Sequence, residues 1–225
     1  MKNLWIAAAG AIRLPVVVGA TLAFASGSLA WRRLWLWLGL MLATMALNAA
    51  LLARWNAELL AERFRRRSGT EAFDRWFAGL SAIVLIALAV VAGLDGGRFG
   101  WSAPPPWLVW AGVALHVAGN TMVAWAMCVN RHLETTVRLQ SDRGHGVVAA
   151  GPYAVVRHPM YTGMLIMFAG WPLILDSLWA LAPYGLYVVL LVWRTGREDR
   201  MLRRTLDGYA GYASRTRYRL APGVW

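Results

Sequence analysis

Four long apolar runs constrain the fold of this chain more than any other feature. They cover residues 14–31, 34–53, 76–94 and 107–128. Each is close to the length of about 20 residues that a helix needs to cross the hydrocarbon core of a bilayer. The fourth run contains His116 and Asn120 as its only strongly polar groups. None shows the polar–apolar alternation of membrane β-strands. The runs therefore predict an all-α fold, a polytopic integral membrane helical bundle.

The composition supports a membrane protein and gives its orientation. The 225 residues are 59% hydrophobic, which is far above the usual value for a soluble domain of this size. The net charge of +12 comes almost entirely from arginines at the ends of apolar runs, with six in residues 54–75, four in 129–157 and eight in 194–219. The positive-inside rule predicts that these three segments are cytoplasmic. Arg32 and Arg33 are a minority signal against this orientation.

The distribution of the arginines also bears on partners. A basic chain can bind nucleic acid, but charges grouped at span ends are typical of topology signals and of contacts with anionic membrane lipids. We therefore expect membrane lipids, and no nucleic acid, as partners. The oligomeric state is left open.

Residues 158–193 are nearly uncharged and too long for one ordinary span. Pro172 and the Asp176-Ser177 pair divide the segment, which predicts a helical hairpin and hence about six membrane segments with both termini in the cytoplasm. A single long, kinked helix is the alternative. A cytosolic tail helix is predicted from about Thr195 to Leu206, closed by Gly208.

Two further segments carry weaker patterns. Residues 54–67 predict an amphipathic interfacial helix with Trp55, Leu59, Leu60 and Phe64 toward lipid. His116 and Asn120 share one face of the fourth run, and interhelical hydrogen bonds are the preferred interpretation for them and for Asn48. The single cysteine, Cys128, excludes an internal disulfide, and the histidines lack metal-ligand spacing, so no metal is predicted.

The chemistry concentrates in residues 144–163, which follow a basic loop and lead into the hairpin. They include Gly151-Pro152-Tyr153 and Arg157-His158-Pro159. Proline is tolerated in the first turn of a helix, and the free amides of that turn favour an anion such as a carboxylate or phosphate. Polar groups at the mouth of a membrane helix are expensive and are usually functional. A carboxylate pair, Glu198-Asp199, follows the hairpin and is positioned to face this loop.

These blocks resemble the isoprenylcysteine carboxyl methyltransferase family. The resemblance rests on Gly-His-x-Val-Val-x-x-Gly-Pro-Tyr-x-x-Val-Arg-His-Pro-x-Tyr-x-Gly at residues 144–163, followed by Glu198-Asp199 and Leu202. It covers about residues 138–225 and extends to membrane methyltransferases that include bacterial phospholipid N-methyltransferases. The family pattern has two glutamates where this chain has Glu198-Asp199. The apolar runs and the position of these motifs together predict two regions: a four-span membrane scaffold at residues 1–128, and a cofactor-binding loop, hairpin and cytosolic catalytic region at 129–225.

The resemblance also implies a cofactor and a set of site residues. The cofactor is S-adenosylmethionine, bound at the cytoplasmic face. Matched position by position, its binding residues are His145, Val148, Gly151, Tyr153, His158, Tyr161 and Glu198. Arg157 and Glu198 are the expected catalytic residues, with Arg157 orienting the acceptor or stabilising developing charge. The acceptor is a lipophilic molecule, an isoprenoid carboxylate or a lipid amine, that arrives from the bilayer between the fourth span and the hairpin.

Other interpretations stay open at this point. Reductases of sterols or lipids have a related motif and use NADPH, and a non-catalytic membrane assembly protein is a third class. Individual residues also have structural alternatives. His158 can cap its helix, Arg157 can be a topology charge, and Glu198 can favour a helix dipole. Tyr153 and Tyr161 can be interfacial aromatics.

Overall fold

The protein is an up-and-down bundle of long helices. The computed structural model describes residues 2–62, 71–133 and 144–225, with backbone only for residues 2–12 and for Glu62. The α-helices are α1 (Lys2–Ser26), α2 (Arg32–Trp55), α3 (Ala57–Glu62), α4 (Ala72–Ala92), α5 (Leu108–Val129), α6 (Pro159–Ile174), α7 (Leu181–Thr205) and α8 (Tyr209–Arg215). A π-helical turn, Gly93–Phe99, continues α4, and a 3₁₀ turn, Gly151–Ala154, precedes α6. No β-strand occurs in these described ranges, so the all-α prediction is confirmed.

Within the described residues, three helices are long and apolar enough to cross a membrane. They are Arg32–Trp55, Ala72–Phe99 and Leu108–Val129, and they contain the second, third and fourth apolar runs. Arg13–Ser26 and Pro159–Ile174 are shorter apolar helices. The number of six membrane segments therefore stays a prediction. Many large apolar side chains on these helices are exposed, Phe24 at 88% and Trp110 at 68%, which suits contact with lipid tails.

Helices α5 and α6 pack backbone against backbone through four glycines. A Cβ atom added to Gly119 would lie 2.3 Å from the backbone nitrogen of Met167, and one added to Gly170 would lie 2.3 Å from the carbonyl oxygen of Gly112. Gly163 faces the carbonyl oxygen of Gly119 in the same way. Small residues allow such close approach, and they drive helix association inside membranes, where the hydrophobic effect between helices is absent.

Polar side chains inside the bundle pair across helices. The side-chain amides of Asn48 on α2 and Asn120 on α5 exchange hydrogen bonds of 2.8 and 3.3 Å. His116 on α5 lies 3.4 Å from the Thr44 hydroxyl and accepts from the Trp171 indole at 3.3 Å. The prediction of interhelical hydrogen bonds for His116, Asn120 and Asn48 is confirmed.

Polar contacts also close the end of the bundle where α4 ends and α7 begins. Nε of Arg33 lies 2.5 Å from Oδ2 of Asp176 in the α6–α7 turn. The Asp95 carboxylate is fully buried and accepts hydrogen bonds from the hydroxyls of Ser102 and Ser177. The Arg33–Asp176 ion pair thus joins the start of α2 to the α6–α7 turn.

The prediction that residues 158–193 form two helices joined by a turn is confirmed, and the structure shows where the turn lies. Helices α6 and α7 are separate and antiparallel, since the Tyr184 hydroxyl donates to the Leu165 carbonyl. Pro172 lies inside α6, one turn before its end. The chain reverses just after it, at Asp176, where φ is +52°.

Two predicted helices are wrong in their extent. Thr195–Leu206 is not a separate tail helix, because α7 runs without a break from Leu181 to Thr205. Gly208 lies past that helix end and precedes α8. The second is the interfacial helix predicted for residues 54–67. Its first two residues, Arg54 and Trp55, belong to the end of α2. A separate helix, α3, follows, and the Asn56 side chain caps it by accepting a hydrogen bond from the Leu59 amide.

The interfacial helix prediction is only partly testable. Leu59 is fully buried rather than turned toward lipid, and it packs with Leu52 and Met127. Trp55, in contrast, is 62% exposed. Phe64 and the rest of residues 63–67 lie outside the described residues.

The glycine contact between α5 and α6 yields a stability prediction. Gly119→Ala should destabilise the protein by about 1–3 kcal/mol, because the added Cβ meets backbone atoms that no side-chain rotation can move away. Thermal unfolding of the detergent-solubilised protein measures the change. Gly185→Ala on α7 is the matched control, since a Cβ at Gly185 meets nothing within 4 Å. Equal unfolding temperatures for the two variants would contradict the close contact.

Candidate functional site

A cleft lies at the end of the bundle where α5 ends and α6 begins. Its cavity volume is about 90 Å³, and it is partly open to solvent. Its walls come from the residues that follow α5, the loop at residues 144–158, the first turn of α6, the last turns of α7, and α8. Apolar side chains line part of it: Val147, Val148, Met201, Leu202 and Leu206.

The cleft brings together all but one of the sequence-predicted site residues. The residues that line it are His145, Val148, Tyr153, Arg157, His158, Tyr161 and Glu198. They come from three separate elements of the fold. The proximity of these side chains is therefore a property of the folded bundle. Their roles toward a cofactor stay predictions.

Gly151 is the predicted site residue that does not line the cleft. It has φ of +58°, which favours glycine, and begins the 3₁₀ turn. A Cβ there would lie 3.2 Å from both the indole nitrogen of Trp125 and a methyl group of Val129 on α5. Gly151 thus lets the loop turn close to α5, and its contribution to the cleft is to position Tyr153.

Asp199 is the centre of the charge network behind the cleft. Its side chain is fully buried. It accepts hydrogen bonds from Nε of Arg157 at 2.7 Å and from Nη2 of the same guanidinium at 3.2 Å. Arg203 and Arg219 donate to the same carboxylate at 3.2 and 3.0 Å. The Tyr209 hydroxyl adds a bond of 3.0 Å, and Nε2 of His158 lies 3.6 Å away.

Arg157 is therefore engaged by the protein on all sides. Besides Asp199, it donates through Nη1 to the carbonyl oxygens of Thr216 and Arg217 at 2.8 Å. The side chain is 2% exposed although it borders the cleft. These contacts give Arg157 a clear positioning role for the loop. Contact with an acceptor stays a prediction for this residue.

Residues 216–220, which we term the tail strap, tie the loop to the C-terminal segment. The backbone amides of Arg157 and His158 donate to the carbonyls of Tyr218 and Arg219, both at 2.9 Å. The Thr162 hydroxyl on α6 donates to the Leu220 carbonyl at 2.7 Å. The strap thus satisfies amides that precede the first turn of α6, which Pro159 begins.

The pKa values of groups around the network follow from burial and hydrogen bonding. Burial alone would raise the pKa of Asp199, but the nearby His158 imidazole and the hydrogen bonds from Arg157 and Arg219 outweigh burial and hold the pKa well below its usual range. Burial raises the pKa of Tyr212 to about 12 and also raises that of Tyr153. Asp199 is therefore an anion, and both phenols stay protonated, near neutral pH.

A second cluster borders the cleft on α6 and α7. The Tyr161 hydroxyl donates to Oε2 of Glu198 at 2.5 Å, and its ring stacks on His158 with centroids 5.6 Å apart. Arg194, one turn before Glu198, pairs with Asp74 of α4 at 2.7 Å, and both side chains are nearly buried. The Arg194 guanidinium lies over the rings of Phe77 and Tyr161, at 4.6 and 4.8 Å.

Sequence reasoning missed several of these residues. Asn130, His132, Arg194, Tyr209 and Tyr212 line the cleft without having been singled out. The i, i+4 spacing of Arg194 and Glu198 on one helix was the available signal for Arg194. A second signal for Arg194 was a carboxylate at the edge of a span, that of Asp74, because a charge at such a position usually has a partner.

The structure contradicts part of the predicted path for the acceptor. The route was expected between the fourth span and the hairpin, but α5 and α6 are in backbone contact at two glycine pairs, Gly112 with Gly170 and Gly119 with Gly163. A lipid chain cannot pass between surfaces that have no room for a methyl group. The seam between α5 and α6 is therefore closed along its membrane part.

Comparison with known proteins agrees with this site. The family model described as phospholipid methyltransferase matches residues 107–207, a range that contains α5, α6, α7 and most of the cleft. The match covers 101 of the 225 residues and confirms the resemblance of this part of the chain to membrane methyltransferases. Such a family implies S-adenosylmethionine as methyl donor. A search of curated proteins finds no match to the chain.

The Asp199 network yields a prediction. Asp199→Asn should destabilise the protein by about 3 kcal/mol or more, because it leaves the buried Arg157 guanidinium without its counter-charge. It should also expose arginines of the tail strap to trypsin. Thermal unfolding and limited proteolysis measure the two effects.

The contribution of Asp199 to stability should fall as the pH is lowered. Because the folded-state pKa of Asp199 is depressed, its stabilisation is present above the unfolded value of about 3.9 and is lost as pH falls below it. The gap in unfolding temperature between wild type and Asp199→Asn should therefore narrow below about pH 4. Asp207→Asn, at an exposed carboxylate past the end of α7, is the matched control. A wild-type unfolding temperature in Asp199→Asn at pH 7 would contradict the structural role.

Proposed function

We propose that the protein is an integral membrane methyltransferase that transfers a methyl group from S-adenosylmethionine to a lipophilic acceptor. The observation that carries the proposal is the cleft. It joins the loop motif of residues 144–163 to Glu198 at one end of an apolar helical bundle. The family match over residues 107–207 supports the class of reaction.

The residues of the cleft fit the chemistry of this cofactor. Glu198 forms no ion pair within the described part of the chain, and its recorded partner is the Tyr161 hydroxyl. Its carboxylate is therefore available to an amine or to ribose hydroxyls. Val148, Leu202 and Leu206 provide apolar walls for a purine. His145 and His158 offer donors to a carboxylate.

Catalysis in such a cleft depends on position and electrostatics. The cofactor supplies a methyl group on a positively charged sulfonium. Tyr161 holds Glu198 in one orientation, and the Arg157–Asp199 network fixes the loop that carries His158. The apolar walls exclude water from the reacting groups. An acceptor carboxylate needs no general base, whereas an amine or thiol requires one, for which Glu198 or a histidine is the candidate.

Binding of S-adenosylhomocysteine tests the proposal directly. Calorimetric titration of the detergent-purified protein should show micromolar affinity, and Glu198→Gln should weaken it about tenfold or more, because a charge-assisted hydrogen bond is lost. Asp207→Asn removes an equal charge from an exposed position and should bind like wild type. NADPH is titrated in parallel. NADPH binding alone would favour a membrane reductase, and binding of neither ligand would favour a non-catalytic assembly protein.

We further propose that the cleft faces the cytoplasm and that the chain has six membrane segments with both termini inside. The proposal rests on the basic segments 54–75, 129–157 and 194–219 of the sequence. Among the described residues, Arg157 and Arg194 line the cleft, and Arg203 and Arg219 bind Asp199 behind it. The exposed arginines of α7 and α8 would then contact anionic lipid headgroups.

Cysteine labelling tests this orientation. In a Cys128→Ser background, Ala210→Cys on α8 should react with a membrane-impermeant maleimide in inside-out vesicles and not in right-side-out ones. Ala103→Cys, in the loop before α5, should show the reverse pattern. Both alanines are exposed, so their reactivity reports sidedness. Labelling of both from the same side would contradict the proposed topology.

A further inference from the structure

The ion pairs around the cleft leave one carboxylate, that of Glu198, without a direct ion-pair partner in the described part of the chain. Arg157 pairs with Asp199, and Arg194 pairs with Asp74. Glu198 forms no such pair among residues 2–62, 71–133 and 144–225, where its hydrogen bond comes from the neutral Tyr161 hydroxyl. Glu198 therefore has no direct salt bridge within the described residues, and the Arg194 charge acts on it only through space.

Arg194 is the natural partner of Glu198 in sequence terms. The two residues are four apart on α7, a spacing at which opposite charges on a helix commonly pair. In the structure the Arg194 guanidinium instead turns to α4, where Nε lies 2.7 Å from Oδ1 of Asp74. Its planar group is held there by the rings of Phe77 and Tyr161.

We propose that Asp74 is a positioning residue for the cleft: by pairing with Arg194 it keeps that cation off Glu198 and reserves the Glu198 carboxylate for the methyl donor. This inference rests on the proposed function, since it assigns a ligand to Glu198. Asp74 lies outside the matched range of residues 107–207. The N-terminal half thus takes part in setting the charge of the cleft.

The physical basis is the strength of ion pairs away from water. Arg194 and Asp74 have side chains that are 6% and 4% exposed. A cation at such a site seeks the nearest carboxylate once its own is removed, because an unpaired buried charge is strongly unfavourable. Without Asp74, the nearest carboxylate on the same helix face is Glu198, which would then be neutralised.

Titration of S-adenosylhomocysteine into four variants tests the inference. Asp74→Asn should weaken binding about tenfold, the effect of losing one charge-assisted contact. The double variant Asp74→Asn with Arg194→Met should bind within about threefold of wild type, because the neutralising cation is gone and Met can still occupy the space between Phe77 and Tyr161. Glu198→Gln and exposed Asp207→Asn are the positive and negative controls.

The outcomes separate the possible failures. Restored binding in the double variant supports the inference where Asp74→Asn alone unfolds at the wild-type temperature yet binds about tenfold more weakly, because a loss of folding cannot then explain the weaker binding. Wild-type affinity in Asp74→Asn, or tenfold weaker binding in the double variant, would overturn it. The double variant lacks the buried unpaired cation, so tenfold weaker binding in it overturns the inference even where Asp74→Asn does not fold. Absence of binding in the wild type would instead refute the proposed function.

Discussion

The structure of the cleft end of the molecule depends on the ion pairs of one buried carboxylate, that of Asp199. It collects Arg157 from the loop, Arg203 from its own helix and Arg219 from the tail strap. Burial of apolar surface does not bring these three cations together, and without the carboxylate they would repel one another. Because a buried ion needs good geometry and full hydrogen bonding to be tolerated, the network fixes the loop, α7 and the tail in one arrangement.

Much of the fold could be predicted from local patterns in the sequence. The apolar runs located α2, α4 and α5, and Pro159 marked the first turn of α6. The loop motif and Glu198 identified most of the cleft wall. These features are readable because each depends on neighbours within a few residues: span length, proline geometry and helix periodicity.

What could not be predicted depends on pairing between distant segments. Asp74 and Arg194 are 120 positions apart, and neither carries a local signal that names the other. The tail strap joins the loop through backbone amides and carbonyls, which every sequence possesses. The end of α7 was misjudged for a local reason. The predicted tail helix began where apolar residues give way to charged ones at Arg194, but Gly196 costs a helix only about 1 kcal/mol and does not end α7.

The tail strap has a consequence for the order in which the protein is assembled. The amides of Arg157 and His158 find their acceptors only at Tyr218 and Arg219, about sixty residues later in the chain. All the apolar helices precede those acceptors in synthesis. The loop therefore has to wait, with its final contacts unmade, until α7 is in place and the following segment has emerged. Maturation of the cleft is a late step that follows membrane insertion and does not accompany it.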